Sequence, residues 1–264
     1  MDALNQIIAS HNLFTTTHEG ITVCRVPLMH EGFRLSRDIL YQLADRRTVL
    51  YLSGGRTPKD LYENLANDHK LHPGAVALID ERYGSKAHNS SNEKLIQDAG
   101  LLPYLREQSV PFYPILLEEQ LDLKETAKNY DMTLRYLFAG FPKSIGVLGI
   151  GLDGHTAGIA GNRQELSSAS SLGQSFVNPL FDMKDPGAFV GEFSDLQGPF
   201  KERVTMTFLG LSMLDIFLVL VFGEDKKHAL DLVFSEGSEE EVPGRFFKRP
   251  EIARRTLFIT DQKI

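Results

Sequence analysis

An acid stands two positions before an imidazole in Gly149-Ile150-Gly151-Leu152-Asp153-Gly154-His155-Thr156. Imidazole titrates near ~6.5, so it can take and return a proton at neutral pH, and a neighbouring carboxylate can orient the ring or share the proton work. A second stretch, Ser53-Gly54-Gly55-Arg56-Thr57-Pro58, brings together paired glycines, two hydroxyls and a cation. Paired glycines allow a tight turn and close approach of backbone to a ligand. A helix starting there would offer free amides and its positive dipole end to an anion, with Ser53 and Thr57 as further donors. A proton-transferring pair and an anion-shaped turn on one chain point to an enzyme acting on a small phosphorylated substrate. The plainer alternatives are a Gly-Gly turn with Thr57 as helix cap, and an Asp153-Gly154 turn with His155 capping the next helix.

Further charges stand where strands should end. Asp80-Glu81-Arg82 closes the apolar run 75–80, so these side chains are expected to reach a cleft, although Glu81 and Arg82 can also pair with each other. Arg203 opens Arg203-Val204-Thr205-Met206-Thr207, and Lys226 ends Gly223-Glu224-Asp225-Lys226 after the most apolar run of the chain, 216–222. Taken singly, Arg203 and Lys226 read as solvated surface charges. With Arg56 and Arg82 they form a set of strand-end cations in a chain of net charge −7, which is what a local phosphate site in an acidic protein requires.

Other chemistries find less support. Residues 149–154 satisfy Gly-x-Gly-x-x-Gly, but no smooth helix and no strand ending in an acid follow, so no dinucleotide cofactor is expected. The spacing is not that of a P-loop, and no His-Glu-x-x-His-type ligand spacing occurs, so no metal is expected. The single cysteine, Cys24, excludes an internal disulfide and reads as a half-buried strand residue. His11, His18, His69, His72 and His88 lie in polar contexts and read as surface residues. The acidic balance argues against nucleic acid or anionic membrane as partner. No apolar stretch approaches the ~18 residues of a membrane span, and the N-terminus lacks the pattern of a secretory signal. These features fit the cytoplasm.

The elements that must position the two turns alternate between strand and helix. The 264 residues read as a single domain. Helical patterns cover 2–11, 31–46, 58–67, 90–100, 119–139 and 225–235, with Pro58 suited to a first helical turn. Strand patterns cover 21–27, 47–52, 75–80, 145–150, 203–209, 216–222 and 256–260. That order predicts an α/β fold with a largely parallel sheet, whose ligands sit beyond the carboxyl ends of the strands. The tract 161–202, rich in Ser, Gly and Asn, reads as an irregular excursion over the site.

Taken in order, the motifs resemble a known group. Ser-Gly-Gly-x-Thr-Pro at 53–58, Asp-Glu-Arg at 80–82, Ser-Asn at 91–92, Gly-x-Gly-x-Asp-Gly-His-Thr-Ala at 149–157, Arg-Val-Thr-Met-Thr at 203–207 and Gly-x-x-Lys at 223–226 are similar to the 6-phosphogluconolactonase and glucosamine-6-phosphate deaminase superfamily. The resemblance runs from about residue 20 to the C-terminus, through Val242-Pro243 and the strand leading to Asp261. It implies a Rossmann-like three-layer α/β/α fold that binds no dinucleotide. It also implies that Gly54, Gly55, Arg56 and Thr57 cradle a sugar phosphate, that Arg203 and Lys226 add positive charge, and that Asp80 and His155 face the C1–C2 end of the sugar. His155-Thr156-Ala157 resembles the lactonase branch, and the glutamate with which deaminases continue this segment is absent. The Ser-Leu-Phe-Pro usual in lactonases is absent too, and Arg56 replaces a commoner serine. The expected activity is hydrolysis of 6-phospho-D-glucono-1,5-lactone in the oxidative pentose phosphate pathway. Amino-sugar-phosphate deamination or isomerisation, or a sugar-phosphate sensor without chemistry, are the alternatives. Oligomeric state is left open.

Overall fold

Short apolar runs become the spine of the structure, a computed structural model that describes residues 2–119, 121–161, 187–194 and 201–264. The chain begins with α1 (Asp2–Ser10), the hairpin strands β1 (Phe14–His18) and β2 (Ile21–Arg25), and α2 (Met29–Leu43). Next come β3 (Thr48–Leu52), α3 (Arg56–Asp68), β4 (Ala75–Leu78) and β5 (Asp80–Arg82). Two short helices, α4 (Asn92–Asp98) and α5 (Leu101–Glu107), precede β6 (Phe112–Tyr113), the long α6 (Leu123–Gly140) and β7 (Lys143–Gly149). The last part contains β8 (Val190–Ser194), β9 (Glu202–Met206), α7 (Phe208–Ser212), β10 (Ile216–Val221), α8 (Lys227–Phe234) and β11 (Thr256–Thr260).

The result is a three-layer α/β fold around an eight-stranded sheet of order β1-β2-β11-β10-β7-β3-β4-β6. Only β1 runs antiparallel to its neighbour. Every residue of β3, β4 and β11 is buried, as strands covered on both faces demand, and this is why they read as unbroken apolar runs and not as alternation. Each large aliphatic side chain so buried contributes ~1.5–3 kcal/mol. None of the described helices is long and apolar enough to cross a membrane.

The order of strands contains a switch point. From β3 the chain moves outward through α3 to β4; from β7 it moves the opposite way, to β10 and β11. Yet β3 and β7 are direct neighbours, so a crevice opens where their continuations part.

Several elements differ from expectation. The run 75–80 is two strands: Ile79 donates to Leu52 O in the large sheet at 2.9 Å and accepts from Met206 N at 2.8 Å in a small one, of order β5-β9-β8. The run 203–209 stops at Met206 because the Thr207 hydroxyl accepts from Gly210 N at 3.0 Å and caps α7. The helix expected over 90–100 ends at Asp98, and Gly100, at φ +79°, opens α5. Cys24 is fully buried, not half-buried, and burial pushes its thiol up to about 11. The excursion expected over 161–202 falls largely outside the described residues; 187–194 within it contains β8.

Candidate active site

At the carboxyl ends of β3 and β7 lies a cleft of about 650 Å³. Ser53, Gly54, Gly55, Arg56, Thr57, Asp80, Arg82, His155, Arg203 and Lys226 all line it. The sequence-predicted residues are thus brought together, with Asp153 immediately behind His155.

The turn after β3 enters α3 at Gly55, whose φ of +116° and ψ of +163° suit glycine and leave the helix without a side-chain cap. Thr57 is therefore inside the helix and not its cap. The carbonyl of Ser53 is held by the Tyr62 hydroxyl at 2.7 Å, and its own hydroxyl donates to Asp80 Oδ1 at 2.7 Å. Asp80 is only 4% exposed, so it meets the cleft from a buried position.

Among the described residues, the turn after β7 leads into no helix. It folds back on itself, with Gly151 N donating to His155 O at 2.8 Å and Thr156 Oγ1 to Gly149 O at 3.0 Å. Asp153 Oδ1 lies 2.6 Å from His155 Nδ1. Burial acts to raise the Asp153 carboxyl, but the hydrogen bonds and positive charge of His155 outweigh it and hold Asp153 well below the usual carboxylate range. An ionised Asp153 assigns the ring proton to Nδ1 and leaves the lone pair on Nε2.

Cations frame the cleft from two directions. Antiparallel pairing of β5 and β9 sets Arg82 directly opposite Arg203. Arg82 also donates to Ser90 O at 2.7 Å. Lys226 donates to Ile150 O at 2.7 Å. Burial depresses its pKa, and the charge of Arg56 does so further, against the opposing pull of Asp225 and Asp153. Among the described residues no three His, Cys, Asp or Glu side chains converge as a metal site would require.

The sequence of the central region, residues 34–257, matches the family described as glucosamine-6-phosphate isomerases/6-phosphogluconolactonase. The chain belongs to that family. A 6-phosphogluconolactonase of Xylella fastidiosa is 31% identical over 206 residues, covering 76% of this chain and 78% of the relative. One from Synechocystis is 30% identical over 212 residues, covering 76% and 77%. Among solved structures, a 6-phosphogluconolactonase from Plasmodium vivax shares the fold at a TM-score of 0.72 and 19% identity, covering 99% of this chain and 96% of its own.

Within this lactonase and isomerase family fold, two expectations are corrected. Glu81 does not reach the cleft. It is fully buried and accepts from the backbone amides of Arg82, Asn92 and Glu93 at 2.8, 2.7 and 3.0 Å, tying β5 to α4. Burial pushes its carboxyl up to about 7, although those three amides pull the other way. Asn92, noted only as part of a motif, supports the site from below by donating to Asp80 O at 2.7 Å. Two of the histidines read as surface residues are engaged: His11 faces Asp38 at 3.0 Å with its side chain 8% exposed, and His88 Nε2 lies 2.9 Å from Arg82 O.

Proposed function

We propose that this chain hydrolyses 6-phospho-D-glucono-1,5-lactone to 6-phosphogluconate, the lactone-opening step of the oxidative pentose phosphate pathway. The Asp153–His155 pair, whose imidazole lines the same cleft as the uncapped start of α3, carries the reading. The phosphate rests on the 54–57 turn with Arg56, Arg203 and Lys226, remote from the reacting carbon, and so fixes the lactone's orientation. Arg82 adds to the positive field, and Asp80 with Ser53 binds a sugar hydroxyl.

His155 Nε2 takes a proton from a water as its oxygen attacks C1. The tetrahedral intermediate then collapses, the bond from C1 to the ring oxygen breaks, and the same proton passes from His155 to that oxygen as it becomes a hydroxyl. The new carboxylic acid ionises and releases one proton to solvent. Positioned acid–base groups of this kind contribute ~10²–10⁴-fold. Asp153 keeps the imidazole in the tautomer that can accept.

The same reading takes residues 1–264 as one domain, in keeping with the matched span 34–257. It places the enzyme in the cytoplasm without nucleic-acid partners, in keeping with a lone buried cysteine and a net charge of −7.

The test is proton release from freshly generated lactone, corrected for spontaneous opening, with ammonia release from glucosamine 6-phosphate followed in parallel. Acceleration that disappears in His155→Ala supports the proposal. Ammonia release in its place moves the chain to the isomerase side of the family, and silence in both assays refutes the hydrolase reading.

A further inference from the structure

The turn that carries His155 is held in an unfavourable shape by a residue from a distant strand. Ala157 has φ +52°, in the left-handed region that side chains other than those of glycine and a few polar residues rarely enter. Gly158 follows at φ +67°, and a bridge between Thr156 and Ile159 closes the turn, with Ile159 N donating to Thr156 O at 2.8 Å. Two consecutive positive φ values make a tight reversal, and a non-glycine residue at its first central position persists only where the surroundings impose it.

Thr205 imposes it. This residue of β9 is fully buried, and its hydroxyl donates to Ala157 O at 2.5 Å. Two other carbonyls, Met206 O at 3.3 Å and Ile79 O at 3.4 Å, are more distant, so the single proton is committed to Ala157. Pairing of β5 with β9 places Thr205 directly opposite Asp80. The same turn lies close against Asp80, so close that a methyl on Gly158 would stand 2.8 Å from Asp80 Oδ2. One hydroxyl therefore fixes a turn that bears on both the imidazole, two residues upstream, and the buried carboxylate beneath.

We infer that Thr205 is a positioning residue, which acts through the Ala157-Gly158 turn to hold His155 and Asp80 in working alignment. Valine at this position keeps the shape and loses the donor, so Ala157 O is left buried without its partner. The turn relaxes, the imidazole moves off line, and a displacement of about 1 Å can cost up to ~100-fold in rate. The phosphate is held by other side chains, so kcat falls by more than KM rises.

For its turnover readout this inference rests on the lactonase reading, so the experiment carries a second readout. Thr205→Val and Thr205→Ser are compared with the unaltered chain by kcat, by KM, and by the proton NMR resonance of the His155 ring, assigned through its loss in His155→Gln. Thr205→Val is expected to lower kcat by about tenfold or more, to raise KM by a smaller factor because Asp80 supplies only one contact to the sugar, and to shift the ring resonance. Thr205→Ser, which retains the hydroxyl, is expected to restore both. A valine variant with unchanged kcat and ring resonance overturns the inference. So does a serine variant whose own kcat falls about tenfold or whose ring resonance shifts from that of the unaltered chain, and that arm decides even if Thr205→Val does not fold. If the unaltered chain opens no lactone, the hydrolase reading fails, while the ring resonance still decides the role of Thr205.

Discussion

Asn92 and Gly54 are in such close contact that a methyl group on Gly54 would stand 1.8 Å from Asn92 Oδ1. The asparagine cannot retreat. It is fully buried, its amide donates to Asp80 O at 2.7 Å, and its backbone N–H is bound by Glu81 Oε1 at 2.7 Å. Glycine at 54 is therefore a steric requirement of the turn after β3, the proposed anion site. Gly54→Ala is expected to displace the turn, lower stability by about 1–3 kcal/mol and raise KM by roughly tenfold. Thermal melts and steady-state kinetics measure both. Adding Asn92→Ala should relieve the clash and recover part of the loss, since contacting residues are not additive. A Gly54→Ala variant that melts and binds like the unaltered chain would remove this contact from the account.

Asp153 matters through the ring nitrogen it selects. Asparagine in its place cannot hold the Nδ1 proton by charge and favours the wrong tautomer. Asp153→Asn is expected to reduce kcat by on the order of 10²-fold or more while KM stays within a few-fold. Stability has its own sign. The folded carboxyl lies below its unfolded value, so its contribution is present above about 3.9 and fades as pH falls through the folded value. Urea unfolding between pH 2 and 6 should therefore lose its acid-side slope in part in the variant. Parallel curves for the two chains would show that the pair does not favour ionised Asp153.

Glu81 has the opposite sign. Its folded value of about 7 lies above the unfolded carboxylate near 4.3, so the folded state holds the extra proton between them. The contribution is fully present below about 4.3 and is lost as pH rises through 7. Unfolding midpoints measured from pH 4.5 to 8 should fall more steeply for the unaltered chain than for Glu81→Gln, which does not titrate. Equal slopes in that window would mean that Glu81 is already ionised below it.

Lys226 and Arg203 test two sides of the proposed phosphate site. Burial and Arg56 lower the Lys226 value, so it loses its charge below the ordinary lysine range, near 10.4. Affinity for 6-phosphogluconate is expected to weaken as pH rises through that lowered value, with proton uptake on binding, because a bound anion restores the charge. Calorimetry from pH 7 to 10 in buffers of different ionisation enthalpy reads both, and Lys226→Met should abolish the alkaline decline. Arg203→Ala is expected to raise KM with kcat little changed. A fall in kcat alone would place that arginine at the reacting carbon instead.

Much of this arrangement is legible in the chain. β3, β7 and β10 are buried along most of their length, and the sequence shows it as the continuous apolar runs 48–52, 145–150 and 216–222. Asp153 and His155 are two residues apart, so their pairing follows from a turn alone. What stayed hidden depends on partners remote in sequence. Thr15, Thr16 and Thr17 of β1 carry no apolar alternation, and β6 is only two residues long. Glu81 reads as a cleft charge until three backbone amides are seen around it. Thr205 looks like an ordinary strand threonine, since nothing local announces that Ala157 needs a donor.

The pivot at Ile79 has a consequence for how the protein is made. Its amide pairs with a strand already completed, but its carbonyl must wait for Met206, and Thr205, which also reaches it, lies 126 residues further along the chain. Closing so long a loop is slow, and a nascent chain gains its N-terminal half first. A ribosome that has released only the first half has delivered residues 53–58 but not His155, Arg203 or Lys226, nor the strand that carries Thr205. On the proposed reading the proton-transferring pair and two of the phosphate-binding cations all arrive late, so an incomplete chain holds neither a working acid–base pair nor a complete phosphate site.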